Sequence, residues 1–346
     1  MNFRAFTQLL LARLRELKRE PEVIFWVFFF PVLLAIALGV AFRDRPPDKV
    51  YIAVVEHPQA QQMALALNAH PTLKAEVIRA EDAARQFRLG KVAGVLSAGA
   101  TENAYELRYD PSRPDSLLAR SLVDSALQKA AGRQDPVAVR EEPVSQPGAR
   151  YIDFLIPGLL GMNLMSGGMW GVGFAVVDMR VKRLLKRLIA TPMRRSDFLM
   201  ALISSRIALM LIEVVLLLMV GRLVFHMVVQ GSLSAIVAVA ATGSLCFAGL
   251  GLLVASRARK IETVSGLMNL VMLPMFVLSG VFFSADRFPD YVQPIIRALP
   301  LTALNDGLRA VILEGASLPS QSARLLLLAL WGGLSFVFAL RWFRWQ

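Results

Sequence analysis

Six long apolar runs constrain this chain more than any other feature of its sequence. An α-helix needs roughly 20 mostly apolar residues to cross the hydrocarbon core of a bilayer, and a soluble domain has no use for six such runs. The runs cover residues 23–42, 152–177, 198–225, 233–255, 264–283 and 323–340. The content of hydrophobic residues, 55%, agrees with this interpretation. The sequence therefore predicts an α-helical polytopic membrane protein with six transmembrane helices.

The distribution of lysine and arginine predicts the orientation of these helices. Residues 1–22, 179–197, 256–262 and the C-terminal tail carry seventeen of these side chains, whereas residues 226–232 and 284–322 carry three. Short loops rich in Lys and Arg stay in the cytoplasm. Both termini are therefore predicted to be cytoplasmic. This asymmetry accounts for most of the net charge of +12, so no nucleic-acid partner is required.

Residues 43–150 predict a small α/β extracytoplasmic domain inserted between the first and second transmembrane helices. Short apolar runs alternate here with helical segments, and a stretch this long is exempt from the loop-charge rule. The predicted strands are Tyr51–Val55, Leu73–Ile78, Val92–Leu96, Tyr105–Tyr109 and Val137–Arg140. The predicted helices are Ala60–Asn68, Glu81–Leu89 and Asp115–Ala131. The remaining residues, 151–346, form a transmembrane domain with helices 2 to 6.

Residues 1–22 predict an amphipathic helix on the cytoplasmic membrane surface. Its apolar stripe consists of Phe3, Phe6, Leu10, Leu14 and Leu17. This helix either only fixes the orientation of the chain or in addition contacts a cytoplasmic partner. The run at residues 23–42 is interpreted as transmembrane helix 1, since several glutamates precede it and no small-residue cleavage pattern follows it.

A short basic segment between the second and third runs is the most distinctive local feature. Over residues 179–190, four apolar residues share one helical stripe and four basic residues surround it, and Pro192 ends the predicted helix. The stripe consists of Val181, Leu184, Leu185 and Leu188, and the basic residues are Lys182, Arg183, Lys186 and Arg187. We name residues 179–197 the coupling loop. Either the loop transmits force as a rigid helix, or its charge merely fixes orientation, and the two roles are compatible.

Four polar side chains inside the apolar runs need an explanation. A charge near mid-bilayer costs at least roughly 2.5–3.5 kcal/mol. Arg206 and Glu213 share a helix face, which indicates either a buried structural pair between helices or a polar point in a substrate path. Asn163 accompanies small residues that favour close helix packing, and Asn269 accompanies methionines that fit either an adaptable pathway or the core.

Residues 284–322, here named the outer segment, combine aromatic residues with prolines. They predict short re-entrant or interfacial helices that cap a pathway, and an ordinary aromatic belt at the membrane surface is the alternative.

Three stretches of this sequence resemble one family, the type-2 ABC exporter permeases, which are the membrane subunits of drug, lipid and polysaccharide exporters. The first is Asp178–Phe198 with its core Leu-Lys-Arg-Leu-x-Ala-Thr-Pro, which resembles the loop between the family's second and third spans. The second is Tyr151–Gly158, and the third joins Leu278–Phe283 to Leu299–Arg309. The chain departs from the family at Val181 and Arg183, where a Glu and a Gly are usual, so an acidic contact to the ATPase is not carried over.

The resemblance implies a permease subunit of an ATP-binding cassette exporter that moves a drug-like or lipid-like amphiphile outward. The alternatives are a permease for polysaccharide or lipid-linked polymer, or a membrane sensor with a ligand-binding outer domain. The residues that would couple the chain to the ATPase are Arg180, Lys182, Leu185, Lys186, Arg187, Leu188, Thr191 and Pro192. The residues that would form an outer gate are Ser279, Gly280, Phe282, Phe283, Pro300, Thr302, Asp306 and Arg309.

The sequence has no phosphate-binding loop, so the chain is predicted not to be an enzyme and to hold no cofactor of its own. No metal-ligand spacing occurs, and the single cysteine, Cys246, excludes a disulfide framework. ATP and Mg would be bound by a separate cytoplasmic cassette ATPase. The other expected partners are a second copy or a similar permease as a dimer, a periplasmic adaptor and membrane lipids. The resemblance implies a bacterial inner membrane.

Overall fold

The structure is a computed structural model, and it describes residues 7, 8, 15, 19, 21–42, 49–99, 104–133, 148, 150–184, 187 and 195–342. The chain divides into a helical unit, Met1–Arg43 with Ser145–Gln346, and an α/β unit, Asp44–Val144. The apolar stripe predicted for residues 1–22 lies outside the described residues. Thr7, Gln8, Arg15 and Arg19 are helical.

The first helix, α1, consists of three consecutive stretches. They are Pro21–Ile24, a π-helical turn at Phe25–Phe29, and Phe30–Ala41. Pro31 has no backbone N–H, so the carbonyl of Val27, four residues earlier, lacks its α-helical donor. The side-chain amide of Asn163 donates to that carbonyl at 3.0 Å. Such a bond matters in a membrane helix, because hydrocarbon offers no other donor.

The α/β unit is a four-stranded sheet with helices on both faces. Its elements are β1 Val50–Val55, α2 Ala60–Asn68, β2 Leu73–Ile78, α3 Ala80–Arg88, β3 Gly94–Ala98, β4 Tyr105–Tyr109 and α4 Pro114–Ala130. The strand order is β2-β1-β3-β4. β1 pairs in parallel with β2 and β3, and β4 pairs antiparallel to β3. Ile52 and Leu96 point into the core beneath α2 and α4, whereas Ala53 and Val95 pack beneath α3.

Most predicted elements of this unit occur within one residue of their predicted bounds. The exception is β3, which begins at Gly94 rather than Val92, because pairing with β1 starts at the Ile52–Gly94 register. Val92 and Ala93 are buried before the strand begins, so their apolar character extended the prediction. The predicted strand Val137–Arg140 lies outside the described residues.

Among the residues that the structure describes, five further helices are long and apolar enough to cross a membrane. They are α5 Tyr151–Val181, α6 Arg195–Phe225, α7 Leu233–Ala255, α8 Ile261–Leu278 and, after two shorter helices, α11 Ser322–Trp342. The shorter helices are α9 Gln293–Ala298 and α10 Pro300–Glu314. The apolar part of α1, Phe25–Ala41, is shorter than these five. The count of six transmembrane helices therefore stays a prediction.

The predicted run 264–283 extended too far. α8 ends at Leu278, and Gly280 adopts a left-handed conformation with φ of 68°. A left-handed residue breaks the hydrogen-bond ladder of a helix and is favoured by glycine. Ser279–Phe283 is therefore a turn outside the helix.

α7 is the centre of the helical unit. Its most apolar window is 67% buried within the chain, compared with 22% for α8 and 17% for α11. Small residues permit its close contacts, since a Cβ at Gly249 would lie 2.8 Å from the carbonyl oxygen of Gly332 on α11. A Cβ at Gly251 would lie equally close to Met169 on α5. These glycines therefore let α7 pack closely against both α5 and α11.

Candidate coupling and gating sites

The first residues of the coupling loop belong to the last turn of α5. α5 continues to Val181, Lys182 and Arg183 form a turn, and Arg183 has a left-handed φ of 58°. The prediction of one continuous helix over residues 179–190 is therefore wrong at Arg183, because a left-handed residue ends the regular ladder. Five of the predicted coupling residues lie outside the described residues. They are Leu185, Lys186, Leu188, Thr191 and Pro192.

Arg180 joins the end of α5 to the end of α7. Its guanidinium donates to the carbonyl oxygens of Ala255 at 2.9 Å, Ala258 at 2.5 Å and Ser256 at 3.3 Å. The last carbonyls of a helix have no donors within the helix and carry partial negative charge. A cation that is half-buried at this point satisfies them and binds the two helix ends together. The family resemblance singled out Arg180, but only the fold reveals this contact.

Lys182, Arg183 and Arg187 of the coupling loop are exposed. Lys182 forms an ion pair with Asp178 at 2.8 Å, one turn earlier on α5. Arg183 and Arg187 also lie at the surface. The loop thus presents a positive surface beside the junction that Arg180 makes.

Arg206 and Glu213 form a buried ion pair within α6. The guanidinium nitrogens lie 2.5 and 2.8 Å from the two carboxylate oxygens, and the side chains are 5% and 0% exposed. The pair packs against α5 at Gly167, where a Cβ would overlap the guanidinium. The expected pairing between helices is therefore a pairing within one helix, and the absence of a side chain at Gly167 makes room for it.

The two asparagines predicted as path residues have different surroundings. Asn163 is buried and bonded to Val27, as described above. Asn269 is exposed on α8, while its neighbours Met268 and Met272 are buried in the core. The methionines therefore fit the core alternative, and Asn269 is the polar residue that an aqueous path or a second protein could reach.

Arg309 of α10 binds the outer segment to the start of α5. Its guanidinium donates to the carbonyl of Phe154 at 3.3 Å and to that of Gly280, and it lies 3.6 Å from the centre of the Phe154 ring. Asp306, one turn earlier, lies 3.8 Å away. Stacking on an aromatic face and fixed donors are the properties that distinguish arginine from lysine.

A second contact holds the same turn. The side-chain amide of Asn305 donates to the carbonyl of Ser279 at 2.8 Å, and the hydroxyl of Tyr151 donates to that of Phe282 at 3.0 Å. Gly161 of α5 lies directly against the Asn305 amide oxygen, so a larger residue there would overlap it. Pro300 and Thr302 are buried in the first turn of α10.

The structure brings five of the predicted gate residues into contact around this turn. They are Ser279, Gly280, Phe282, Asp306 and Arg309. Phe283 points instead toward Phe288, with ring centres 5.9 Å apart. The prediction missed Phe154, Gly161 and Asn305, although Asn305 lies inside the motif Leu299–Arg309. The signal available for Asn305 was its place inside this motif, directly before the predicted gate residue Asp306.

The comparison with known families decides which class this architecture belongs to. A family model described as ABC-2 family transporter protein matches residues 21–341. The chain belongs to the ABC-2 transporter family. With five long apolar helices, this ABC-2 protein is a multi-pass membrane protein. The resemblance to type-2 ABC permeases read from the sequence is confirmed.

The ABC-2 chain is similar to proteins of several organisms, three of which follow. ABC transporter G family member 20 of Dictyostelium discoideum is 26% identical over 204 residues, which are 58% of this chain and 28% of that protein. Nodulation protein J of Bradyrhizobium diazoefficiens is 27% identical over 168 residues, 48% of this chain and 64% of that protein. Inner membrane transport permease YhhJ of Escherichia coli is 25% identical over 173 residues, 50% of this chain and 46% of that protein. The chain covers less than two thirds of each relative.

Proposed function

We propose that this chain is the transmembrane permease subunit of an ATP-binding cassette exporter. It moves a drug-like or lipid-like amphiphile out of the cytoplasm or inner leaflet, and a separate cytoplasmic subunit binds ATP and Mg. Membership of the ABC-2 family supports this function, and so does the similarity to transport permease YhhJ and to an ABC transporter of the G family. In the proposed topology the chain lies in a bacterial inner membrane with both termini in the cytoplasm and residues 43–150 outside.

The contact of Arg180 with the end of α7 carries the proposal. Closure of the cassette dimer on ATP displaces the coupling loop. Because Arg180 belongs to α5 and donates to three carbonyls at the end of α7, the displacement reaches two helices together. α7 packs against both α5 and α11, so a small shift of its end moves the centre of the unit. The exposed basic side chains beside Arg180 supply the docking surface for the ATPase.

The exposed face of α8 supports assembly of two permeases. Asn269 lies on this face among apolar residues such as Leu270 and Leu273. An amide facing hydrocarbon has no hydrogen-bond partner, so polar residues in spans face protein or water. We infer that α8 faces a second permease or the path between the two.

The outer gate is the turn at Ser279–Phe283. Arg309 and Asn305 of α10 and Tyr151 of α5 hold it closed at the end of the bundle opposite to Arg180. Outward release of the substrate requires these contacts to loosen when the coupling loop moves.

The test is ATP hydrolysis by the cassette protein reconstituted with this chain in lipid. The variant Lys186→Glu/Arg187→Glu reverses two charges of the coupling loop. Arg88→Glu/Lys91→Glu is the matched control, since it reverses two exposed charges in the α/β unit. We expect the wild type and the control to stimulate hydrolysis equally and the coupling-loop variant to lose stimulation while still inserting into the membrane. If no cassette protein associates with the wild type, the permease function is wrong. If one does associate, candidate substrates are ranked by the increase in ATP hydrolysis that each causes in the wild-type complex.

A further inference from the structure

An apolar groove of about 390 Å³ lies among α6, α7 and α11. Its volume is in the range of ligand pockets, roughly 300–1,000 Å³. The lining is hydrocarbon apart from the hydroxyl of Thr242 and the thiol of Cys246. The hydroxyl already donates to the carbonyl of Ala238 at 2.8 Å. An occupant of the groove therefore needs no hydrogen-bonding groups along its length.

Glycines create the groove. Gly249 of α7 and Gly332 of α11 bring the two helices into close contact, and both line the groove floor. The next residue, Gly333, also lines it, and a Cβ at Gly333 would meet no atom within 4 Å. The absence of a side chain at Gly333 thus leaves this space open.

One end of the groove leads toward a cation and a tryptophan. α7 and α11 run in the same direction, because Gly332 contacts Cys246 and, farther along both chains, Arg257 lies over the ring of Trp342 at 5.5 Å. Phe336 marks this end of the groove, and six helical residues, about 9 Å, separate it from Trp342. Arg257 and Trp342 are exposed. Tryptophan is enriched at the level of lipid headgroups, and arginine binds phosphate with fixed donors.

We propose that the groove binds one acyl chain of a bilayer phospholipid, with the phosphate of that lipid at Arg257. An apolar slot that opens among membrane helices and ends at an exposed cation has the shape and charge of this one occupant. In the proposed topology the groove lies in the cytoplasmic half of the membrane. A lipid chain gains little by leaving other lipid chains, so selectivity comes from the glycine-made shape and from the charge at its end. The site goes beyond the proposed function, because the bound lipid need not be exported.

The experiment uses the full chain in lipid nanodiscs with a photo-activatable probe. The probe is phosphatidylglycerol with a diazirine near the end of one acyl chain, and the comparison probe is diacylglycerol with the same chain and no phosphate. After illumination, peptide mass spectrometry locates the label. We expect phosphatidylglycerol to label residues 242–252 and 328–336 in the wild type, and diacylglycerol to label them less.

Four variants, one of them a control, test the two parts of the site. Gly333→Leu fills the open space and should lower labelling by about tenfold, because overpacking a filled slot is unfavourable. Ala329→Leu, at another residue of the lining, is the second filling variant should Gly333→Leu fail to fold. Ala323→Leu makes the same change at an exposed residue of α11 away from the groove and should label like the wild type. Arg257→Gln should abolish the advantage of phosphatidylglycerol over diacylglycerol.

Three results would overturn the proposal. Equal labelling in wild type and both filling variants would place the lipid elsewhere. Equal labelling by both probes in the wild type would remove the role of the phosphate. Absence of label from residues 242–252 and 328–336 of the wild type would exclude the lipid from the groove.

Discussion

The two ends of α5 are both held by an arginine, but they are held very differently. At the start, Arg309 stacks on Phe154 and donates to two carbonyls, and Asn305 and Tyr151 add bonds to the same turn. At the far end, Arg180 supplies three bonds to the end of α7, beside exposed basic residues. The described contacts of the Ser279–Phe283 turn come from three side chains on two helices, whereas Arg180 joins two helix ends through one guanidinium. Elements that move in a conformational change are those that open at a low cost in free energy. The difference therefore supports assigning transmission to the Arg180 end and closure to the Arg309 end.

The ion pair of α6 that packs against the middle of α5 gives the largest expected effect and sharpens the comparison. Glu213→Ala leaves the Arg206 cation buried against Gly167 without its carboxylate. We expect the free energy of unfolding, from a denaturing-detergent titration, to fall by about 3–5 kcal/mol. The double variant Arg206→Met/Glu213→Leu should recover most of this loss, since it buries no charge.

Transport by that double variant distinguishes a structural role of the Arg206–Glu213 pair from a role in the substrate path. A folded double variant that transports normally would make the pair structural. A folded double variant without transport would place Arg206 and Glu213 in the substrate path.

The closed end of α5 gives the next largest effect. Arg309→Ala removes the donors to Phe154 and Gly280, and hydrogen bonds to charged groups contribute roughly 1.5–3 kcal/mol. We expect a loss of stability of that size in the same titration, together with leakage of a small solute from proteoliposomes. Arg309→Lys should restore little, because lysine cannot stack and donate in the same way. Unchanged stability would mean that the gate is held by other contacts.

A change at the Arg180 end of α5 should affect stability less, and the coupling of transport to ATP hydrolysis more, than a change at the Arg309 end. Arg180→Ala removes a cation from the end of α7, and we expect a loss of roughly 1–2 kcal/mol. Substrate transported per ATP hydrolysed should fall much more than it does in Arg309→Ala. The two variants therefore form a matched pair, measured in the same proteoliposomes. An equal fall of this ratio in both variants would break the comparison between the ends.

The smallest effect is expected at Asn163. Asn163→Ala leaves the carbonyl of Val27 without a side-chain donor, which costs roughly 0.5–1.5 kcal/mol. Because the asparagine bonds to α1 in the structure, transport and substrate affinity should remain at wild-type values. A change in substrate affinity with unchanged stability would make Asn163 a path residue instead.

The α/β unit and the long helices show which structural features can be predicted from the sequence. β2, β4 and α2 occur at their predicted bounds, because alternation and helical spacing repeat over each whole element. The five long helices follow the apolar runs for the same reason. The errors occur at single residues. Gly280 and Arg183 end their helices with a left-handed backbone, and an arginine in that conformation has no sequence signal.

The candidate sites were predictable as segments and not as contacts. Arg180, Arg309 and Asp306 were singled out by resemblance to a family motif. Phe154 and Gly161, which lie more than a hundred residues before Arg309 in the chain, were not. Glu213 and Arg206 were correctly placed on one helix face, yet their packing against Gly167 depends on how α5 and α6 meet.

The sequence by itself determined that this chain is a membrane protein with long apolar helices and an α/β unit, and its motifs carried the resemblance to the ABC-2 family. Bilayer thickness sets the length of the apolar runs, and the 3.6-residue repeat sets the spacing of apolar residues in a helix. Both patterns involve neighbouring residues, so they can be recognised in the sequence. Only the tertiary structure decided where the polar side chains of the helices find their partners. Arg180 at the end of α7, Asn163 on Val27 and Arg309 on Phe154 each satisfy a group from a distant part of the chain. Such pairings follow from burial and close helix packing, which no local pattern of residues encodes.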